Sequence, residues 1–143
     1  MFNKEVWVLG ELLAQKYLIK QGYKIFETNK KLANAEVDIV ALCPKKVLIK
    51  ELKAEYKSGQ IIKSSYLAEK KNICDTIVFV EVKARSSLKY GLPQEAVKTK
   101  KQMHIKRFAE TFMANSKYYG MPMRYDIVSV LDNQITEHIK NAF

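Results

Sequence analysis

The clearest hydrophobic pattern in the chain is a β-branched apolar run over residues 77–82, which ends in an acid and a lysine. Such a run predicts a buried central strand. Because successive strand side chains point to opposite faces, Glu81 and Lys83 share a face where the strand leaves the core. A buried carboxylate needs a partner, since desolvating it alone costs several kcal/mol. The pattern therefore predicts either a Glu–Lys pair that caps a strand or a carboxylate that binds a cation.

The rest of the pattern predicts an α/β chain. Helices are predicted over residues 3–21 and from Pro93 or Gln94, after a turn at 90–93, to about Gly120. Further strands are predicted over residues 23–30, 35–43, 124–131 and 134–139, the last two joined by a turn at Asp132 and Asn133.

The first helix carries an acid inside its apolar stripe. At the helical period Trp7, Ala14 and Leu18 align, and Glu11 lies among them. Gly22 suits the C′ position that ends the helix. Structural and catalytic roles for Glu11 are equally supported by this stretch.

The strand at 35–43 also carries acids. One face is expected to hold Glu36, Asp38, Val40 and Leu42, and the other Val37, Ile39 and Ala41. If this strand pairs antiparallel with residues 77–83 so that paired numbers sum to an odd value, Asp38 stands beside Glu81. The same parity places Cys43 and Cys74 together on the opposite face, where reduced thiols are expected in a cytosolic protein and a disulfide is the alternative.

Residues 44–73 form a lysine-rich insertion between those strands, with one helix expected over 46–57 and a weaker one over 61–71. A second E-x-K, Glu51 and Lys53, is interpreted as part of the first of these helices. The insertion could be a basic flap, a partner-binding hairpin or a solvated loop.

Composition and charge narrow the class of protein. With 143 residues and 48% hydrophobic content, the chain is expected to be one domain spanning 1–143, with no membrane span, in the cytoplasm. Its 25 Lys+Arg against 15 Asp+Glu give a charge of +10, which favours a polyanionic partner, above all nucleic acid.

Basic residues are concentrated at the start of the long helix predicted from Pro93 or Gln94. The candidate nucleic-acid contacts are Arg85, Lys98, Lys100, Lys101 and Arg107. A solvated helix face is the alternative interpretation of the same run.

The candidate catalytic group is Glu11, Asp38, Glu81 and Lys83, with Glu36 as a helper. Converging carboxylates repel unless a divalent cation neutralises them, and all-oxygen ligands suit Mg²⁺ or Mn²⁺. Such ions can orient a phosphodiester and activate an attacking water.

Two other polar features have structural interpretations. Arg124 and Asp126 are expected to pair with each other, and His138 has no evident catalytic partner.

These residues carry a family resemblance. Asp38 with Glu81 and Lys83 resembles the D…ExK core of the restriction-endonuclease-like, or PD-(D/E)xK, superfamily, and Glu11 matches the helix-one acid of archaeal-type Holliday junction resolvases. The whole chain is similar to the bacterial YraN family of uncharacterised predicted nucleases. The matching stretches are residues 10–11, 22–23, 36–38, 78–85, 93–97, 101–102, 124–126 and 138–143.

The resemblance implies an αβββαβ core with a mixed central sheet, here with the long insertion 44–73 between the second and third strands. It implies a metal site at Glu11, Asp38 and Glu81, with Lys83 as the fourth catalytic residue. The expected function is a Mg²⁺-dependent endonuclease acting on branched or single-stranded DNA, and a homodimer would suit symmetric cuts. A nucleic-acid-binding module with a vestigial site, and a protein that captures partners through 44–73, are the alternatives.

Overall fold

Four helices and five strands make up the part of the chain that the computed structural model describes, residues 3–87 and 98–143. In chain order they are α1 (Asn3–Lys20), β1 (Lys24–Leu32), β2 (Ala35–Cys43), α2 (Lys45–Lys57), α3 (Lys63–Lys71), β3 (Thr76–Arg85), α4 (Thr99–Ala114), β4 (Met123–Leu131) and β5 (Gln134–Ile139).

The strands form a mixed sheet in the order β1-β2-β3-β4-β5. The β3–β4 pair is parallel, and the other three neighbouring pairs are antiparallel. Helix α4 makes the crossover that a parallel pair requires. The predicted α/β fold with a mixed central sheet is therefore confirmed.

Each face of the sheet is covered by one long helix. On one face α1 packs on the even-numbered residues of β3, including Val78 and Val80. On the other face α4 buries Ile105 and Phe108 against Phe79. The central strand is thus buried on both sides, which explains its nearly continuous apolar sequence.

Helix α1 ends as its sequence predicts, but its buried stripe is different. Gly22 has φ +100°, and the N–H groups of Gly22 and Tyr23 donate to the carbonyls of Ile19 and Leu18, which is a Schellman C-cap. The prediction that Trp7 belongs to the buried stripe is wrong, because Trp7 is 39% exposed and Val6 is buried instead.

Helix α4 is shorter than predicted. Lys98 has extended backbone (φ −85°, ψ 165°), so the helix begins at Thr99, and it ends at Ala114, where the Asn115 side chain caps the carbonyl of Thr111. The turn predicted at 90–93 and the predicted helix start at Pro93 or Gln94 lie outside the described residues.

The insertion between β2 and β3 contains the two predicted helices, α2 and α3. Glu51 lies on α2, which confirms that this E-x-K is helical. None of the helices in residues 3–87 and 98–143 is both long and apolar enough to cross a membrane.

Candidate carboxylate site where two strands part

The site forms where β2 separates from β3. Their paired residues run from Cys43–Thr76 to Ile39–Val80, so paired numbers sum to 119, the predicted odd parity. Beyond that point the N–H of Val82 donates to Asp38 Oδ2 at 2.8 Å. The Asp38 carboxylate thus takes the place of a backbone acceptor and is fixed beside β3.

The parting of the strands also changes which way β2 faces. Strict alternation predicts Val37 on the same side as Ile39, but Val37 packs in the α4-side core, whereas Ile39 packs on the α1 side. Beyond Ile39, β2 pairs with β1 alone. Two-stranded ribbons twist more strongly than larger sheets, so this end of β2 is free to turn out of the plane of β3. Asp38 therefore lies where side chains of both faces can meet.

Glu11 reaches this point from α1. A Cβ added to Gly10 would overlap the Cβ of Ala84, so the glycine allows α1 to lie directly on β3. Glu11 is buried, within hydrogen-bonding reach of the Asp38 and Asn29 side chains. Burial raises the pKa of Glu11, and those two hydrogen bonds oppose the rise.

Glu81 contacts two lysines. Its Oε1 lies 3.3 Å from Lys83 Nζ and 3.7 Å from Lys101 Nζ. Burial and the neighbouring Asp38 charge raise the pKa of Glu81 to about 7, although both lysines pull it down.

Asp38 is shifted in the same direction. Burial raises its pKa to about 7. Its hydrogen bond from Val82 and the charge of Lys101 favour the ionised form, while Glu11 disfavours it. Because Asp38 and Glu81 interact, they titrate as a coupled pair near neutral pH.

The three acids suit a hard cation chemically. Among the described residues, Glu11 Oε1 and Glu81 Oε2 are buried side-chain oxygens with no hydrogen-bond partner. Native structures rarely leave such atoms unsatisfied, and the capacity to bind an ion is one explanation. Carboxylate oxygens are the ligands that Mg²⁺ and Mn²⁺ prefer. As arranged, however, no group of three or more His, Cys, Asp or Glu side chains in residues 3–87 and 98–143 could hold a metal ion.

The five basic candidates have three kinds of surroundings. Lys98, Lys100 and Arg107 are exposed, as phosphate contacts must be. Arg85 donates to the neighbouring carbonyl of Ala84. Lys101 instead turns towards Glu81, so the structure places it in the carboxylate site.

The cysteines do not pair. Cys43 is buried on the α1 side of the sheet, away from Glu81, as parity predicts. Cys74 is exposed and precedes β3, so its predicted place beside Cys43 is wrong: Thr76 is the residue opposite Cys43. Both thiols are free.

A second polar cluster, which sequence reasoning missed, lies near the other end of the sheet. The predicted Arg124–Asp126 pair is present, bidentate at 2.7 and 2.8 Å. His138 Nε2 also donates to Asp126, at 2.7 Å, a contact that the sequence did not indicate. The insertion contributes Glu51 to this cluster. Glu51 Oε1 lies 3.6 Å from Arg124 Nη1, and Glu51 Oε2 lies 3.2 Å from Lys140 Nζ.

Together the features define a class: an α/β protein with a five-stranded mixed sheet, compatible with a nuclease-like core, in which acids from a helix and two strands meet a lysine where β2 parts from the central strand β3. The chain belongs to the uncharacterised protein family UPF0102, whose family model matches residues 10–130.

Relatives in the family match almost the whole chain. UPF0102 proteins of Caldicellulosiruptor bescii and Caldanaerobacter subterraneus are 40% and 36% identical to it, over 98% and 99% of this chain and 98% and 96% of their own. The one from Clostridioides difficile is 34% identical over the full length of both chains.

Proposed function

We propose that the protein is a Mg²⁺- or Mn²⁺-dependent endonuclease that hydrolyses phosphodiester bonds in branched or single-stranded DNA. The observation that carries the proposal is the convergence of Glu11, Asp38 and Glu81, from three elements, with Lys83 beside them. The two buried oxygens without hydrogen-bond partners support a cation-binding site at this place.

Each side chain has a role that follows from its position. A hydrogen bond from the Val82 N–H holds Asp38, and the close packing of α1 on β3 at Gly10 positions Glu11. Both side chains therefore present oxygens with little freedom to move. A divalent cation bound by these oxygens would neutralise the scissile phosphate and activate the attacking water. Lys83 would position that water or offset the negative charge that develops on the phosphate.

The charge of the chain supports a nucleic-acid substrate. The net charge of +10 favours encounter with polyanions. Lys98, Lys100 and Arg107 on or beside α4 are exposed and can contact phosphates. The homodimer that symmetric cleavage would need is tested by sedimentation with and without a branched substrate.

The direct test is cleavage of labelled four-way junction, flap and single-stranded DNA with Mg²⁺ or Mn²⁺. Wild type should cut at least one of them, and Asp38→Asn and Glu81→Gln should lose at least about a hundredfold in rate. Asp132→Asn, which removes an exposed carboxylate from the β4–β5 turn, is the matched control and should keep full activity. Absence of cleavage on every substrate, or equal cleavage by all variants, would refute the proposal.

A nucleic-acid-binding module with a vestigial site is the second candidate. It is favoured by one observation: the described acids are not arranged as a ready metal cage. This candidate requires binding that weakens steeply with salt, because phosphate contacts release counterions, but no metal-dependent turnover. Fluorescence anisotropy across a salt series, run beside the cleavage assay, separates the two.

A further inference from the structure

Lys101 turns towards the carboxylate site, a position that contact with phosphate alone would not require. It lies in the first turn of α4, and its ammonium is 3.7 Å from Glu81 Oε1, where Lys83 also binds. The charge of Lys101 also favours the ionised form of Asp38. One lysine from outside the three acid-bearing elements thus acts on two of the three carboxylates.

The two lysines supply positive charge to the gathered acids. Buried carboxylates require compensating positive charge. Lys83 and Lys101 supply it on one oxygen of Glu81, while the other oxygen of Glu81 is buried with no hydrogen-bond partner. Lysine charge therefore compensates Oε1 of Glu81, while Oε2 of the same carboxylate has no hydrogen-bond partner.

The two lysines differ in how easily a cation can displace them from Glu81. The Lys83 side chain is 18% exposed and is fixed two residues from Glu81 on the same strand. The Lys101 side chain is 37% exposed and reaches Glu81 from another element at a longer distance. A partly exposed ion pair of this kind is weak, so a dication can outcompete it.

We propose that Lys101 is a displaceable counterion of the carboxylate site, which holds Glu81 in the metal-free protein and is released when a divalent cation binds. The inference rests on the proposed metal-dependent function. It makes Lys101 a positioning residue that sets metal affinity. It also corrects the assignment of Lys101 to the nucleic-acid surface in the metal-free state.

The test is Mn²⁺ titration of the full chain, followed by electron paramagnetic resonance of free Mn²⁺ and by calorimetry. Lys101→Met keeps the aliphatic stem and removes the charge, and should bind Mn²⁺ about two- to fivefold more tightly than wild type. Lys100→Met is the matched control, because it removes an equal charge from the adjacent exposed position. The control should change affinity less than Lys101→Met does. Lys101→Arg should return the affinity towards that of wild type.

A second readout follows the metal-free fold. Lys101→Met should lower the urea midpoint in EDTA, since Glu81 loses a counterion, and saturating Mn²⁺ should remove that difference. A purely structural lysine would leave the difference in place with metal.

The outcomes separate this inference from the proposed function. If wild type binds Mn²⁺, Asp38→Asn does not, and Lys101→Met binds like wild type or more weakly, the role of Lys101 is refuted and the metal site stands. If no variant binds Mn²⁺ at millimolar concentration, both the metal site and the counterion role are refuted.

Discussion

Replacing Asp38 by Asn should stabilise the metal-free protein at pH 8 while it removes a proposed catalytic carboxylate. The structure makes the amide a good substitute for protonated Asp38. Its oxygen can still accept from the Val82 N–H, which now donates to Asp38 Oδ2 at 2.8 Å. Its NH₂ group can donate to Glu11, which lies within hydrogen-bonding reach.

The magnitude follows from the raised pKa of Asp38. Burial moves that pKa from 3.8 to about 7, a difference of about three pKa units. At 1.36 kcal/mol per unit, ionising Asp38 at pH 8 costs the folded state up to about 4 kcal/mol. Because Asp38 and Glu81 titrate together and the site can relax, we expect a gain of about 1–3 kcal/mol for Asp38→Asn.

Proton linkage fixes the direction in which the free energy of unfolding changes with pH. Between pH about 4 and 7 the native state binds a proton that the unfolded state releases, so the wild-type free energy of unfolding falls as pH rises through this window. Below that window both states are protonated, and the advantage of the variant should vanish.

Urea unfolding in EDTA at pH 5 and pH 8 measures this effect. Asp38→Asn should have the higher midpoint at pH 8 and a clearly smaller advantage at pH 5, which lies inside the titration window, with unchanged m-values. The control Asp132→Asn, at an exposed turn residue, should follow wild type at both pH values. A variant less stable than wild type at both pH values would refute the reasoning, because it would show that Asp38 is held ionised by its partners.

Three further predictions test the contact of α1 with β3 and the second polar cluster. Gly10→Ala should cost about 1–3 kcal/mol in urea unfolding, because the new Cβ overlaps Ala84, and Ala84→Gly should recover part of the loss in the double variant. Burial alone would raise the pKa of Asp126, but hydrogen bonds from His138 and Arg124 hold it below its ordinary value. The stability that Asp126 contributes is therefore present above pH about 4 and lost as pH falls further; Asp126→Asn should flatten this acid limb of the thermal-unfolding profile. Glu51→Ala should speed amide hydrogen exchange across 45–71, because Glu51 ties α2 to Arg124, whereas faster exchange throughout the sheet would contradict this local role.

The central strands and their acids could be predicted because two local rules suffice for them. The apolar run of β3 and the bounds of β2 follow from period-two alternation and β-branched content. Once the pair is antiparallel, the parity of the register decides which side chains share a face. Asp38 beside Glu81 follows from those rules once an antiparallel pair with an odd-sum register is supposed, and the structure has that register.

Contacts between elements could not be predicted in the same way. The true buried stripe of α1, with Val6 in place of Trp7, depends on where the helix lies on β3, and that depends on the fit of Gly10 against Ala84. Similarly, the run of basic residues on α4 gives no sign that Lys101 alone turns inward. Only the position of α4 over β2 and β3 distinguishes Lys101 from the exposed Lys100.

His138 shows how a single irregularity hides a buried network from the sequence. The predicted Asp132–Asn133 turn, with φ +50° and +61°, pairs Leu131 with Gln134. Continued without interruption, that register would place His138 opposite Ile127, on the face away from Asp126. A register shift between Ser129 and Val130 places His138 opposite Val128 instead. One residue of slip moves a side chain to the other face of a sheet. The shift therefore delivers His138 to Asp126 at 2.7 Å, and neither residue's own sequence context records it.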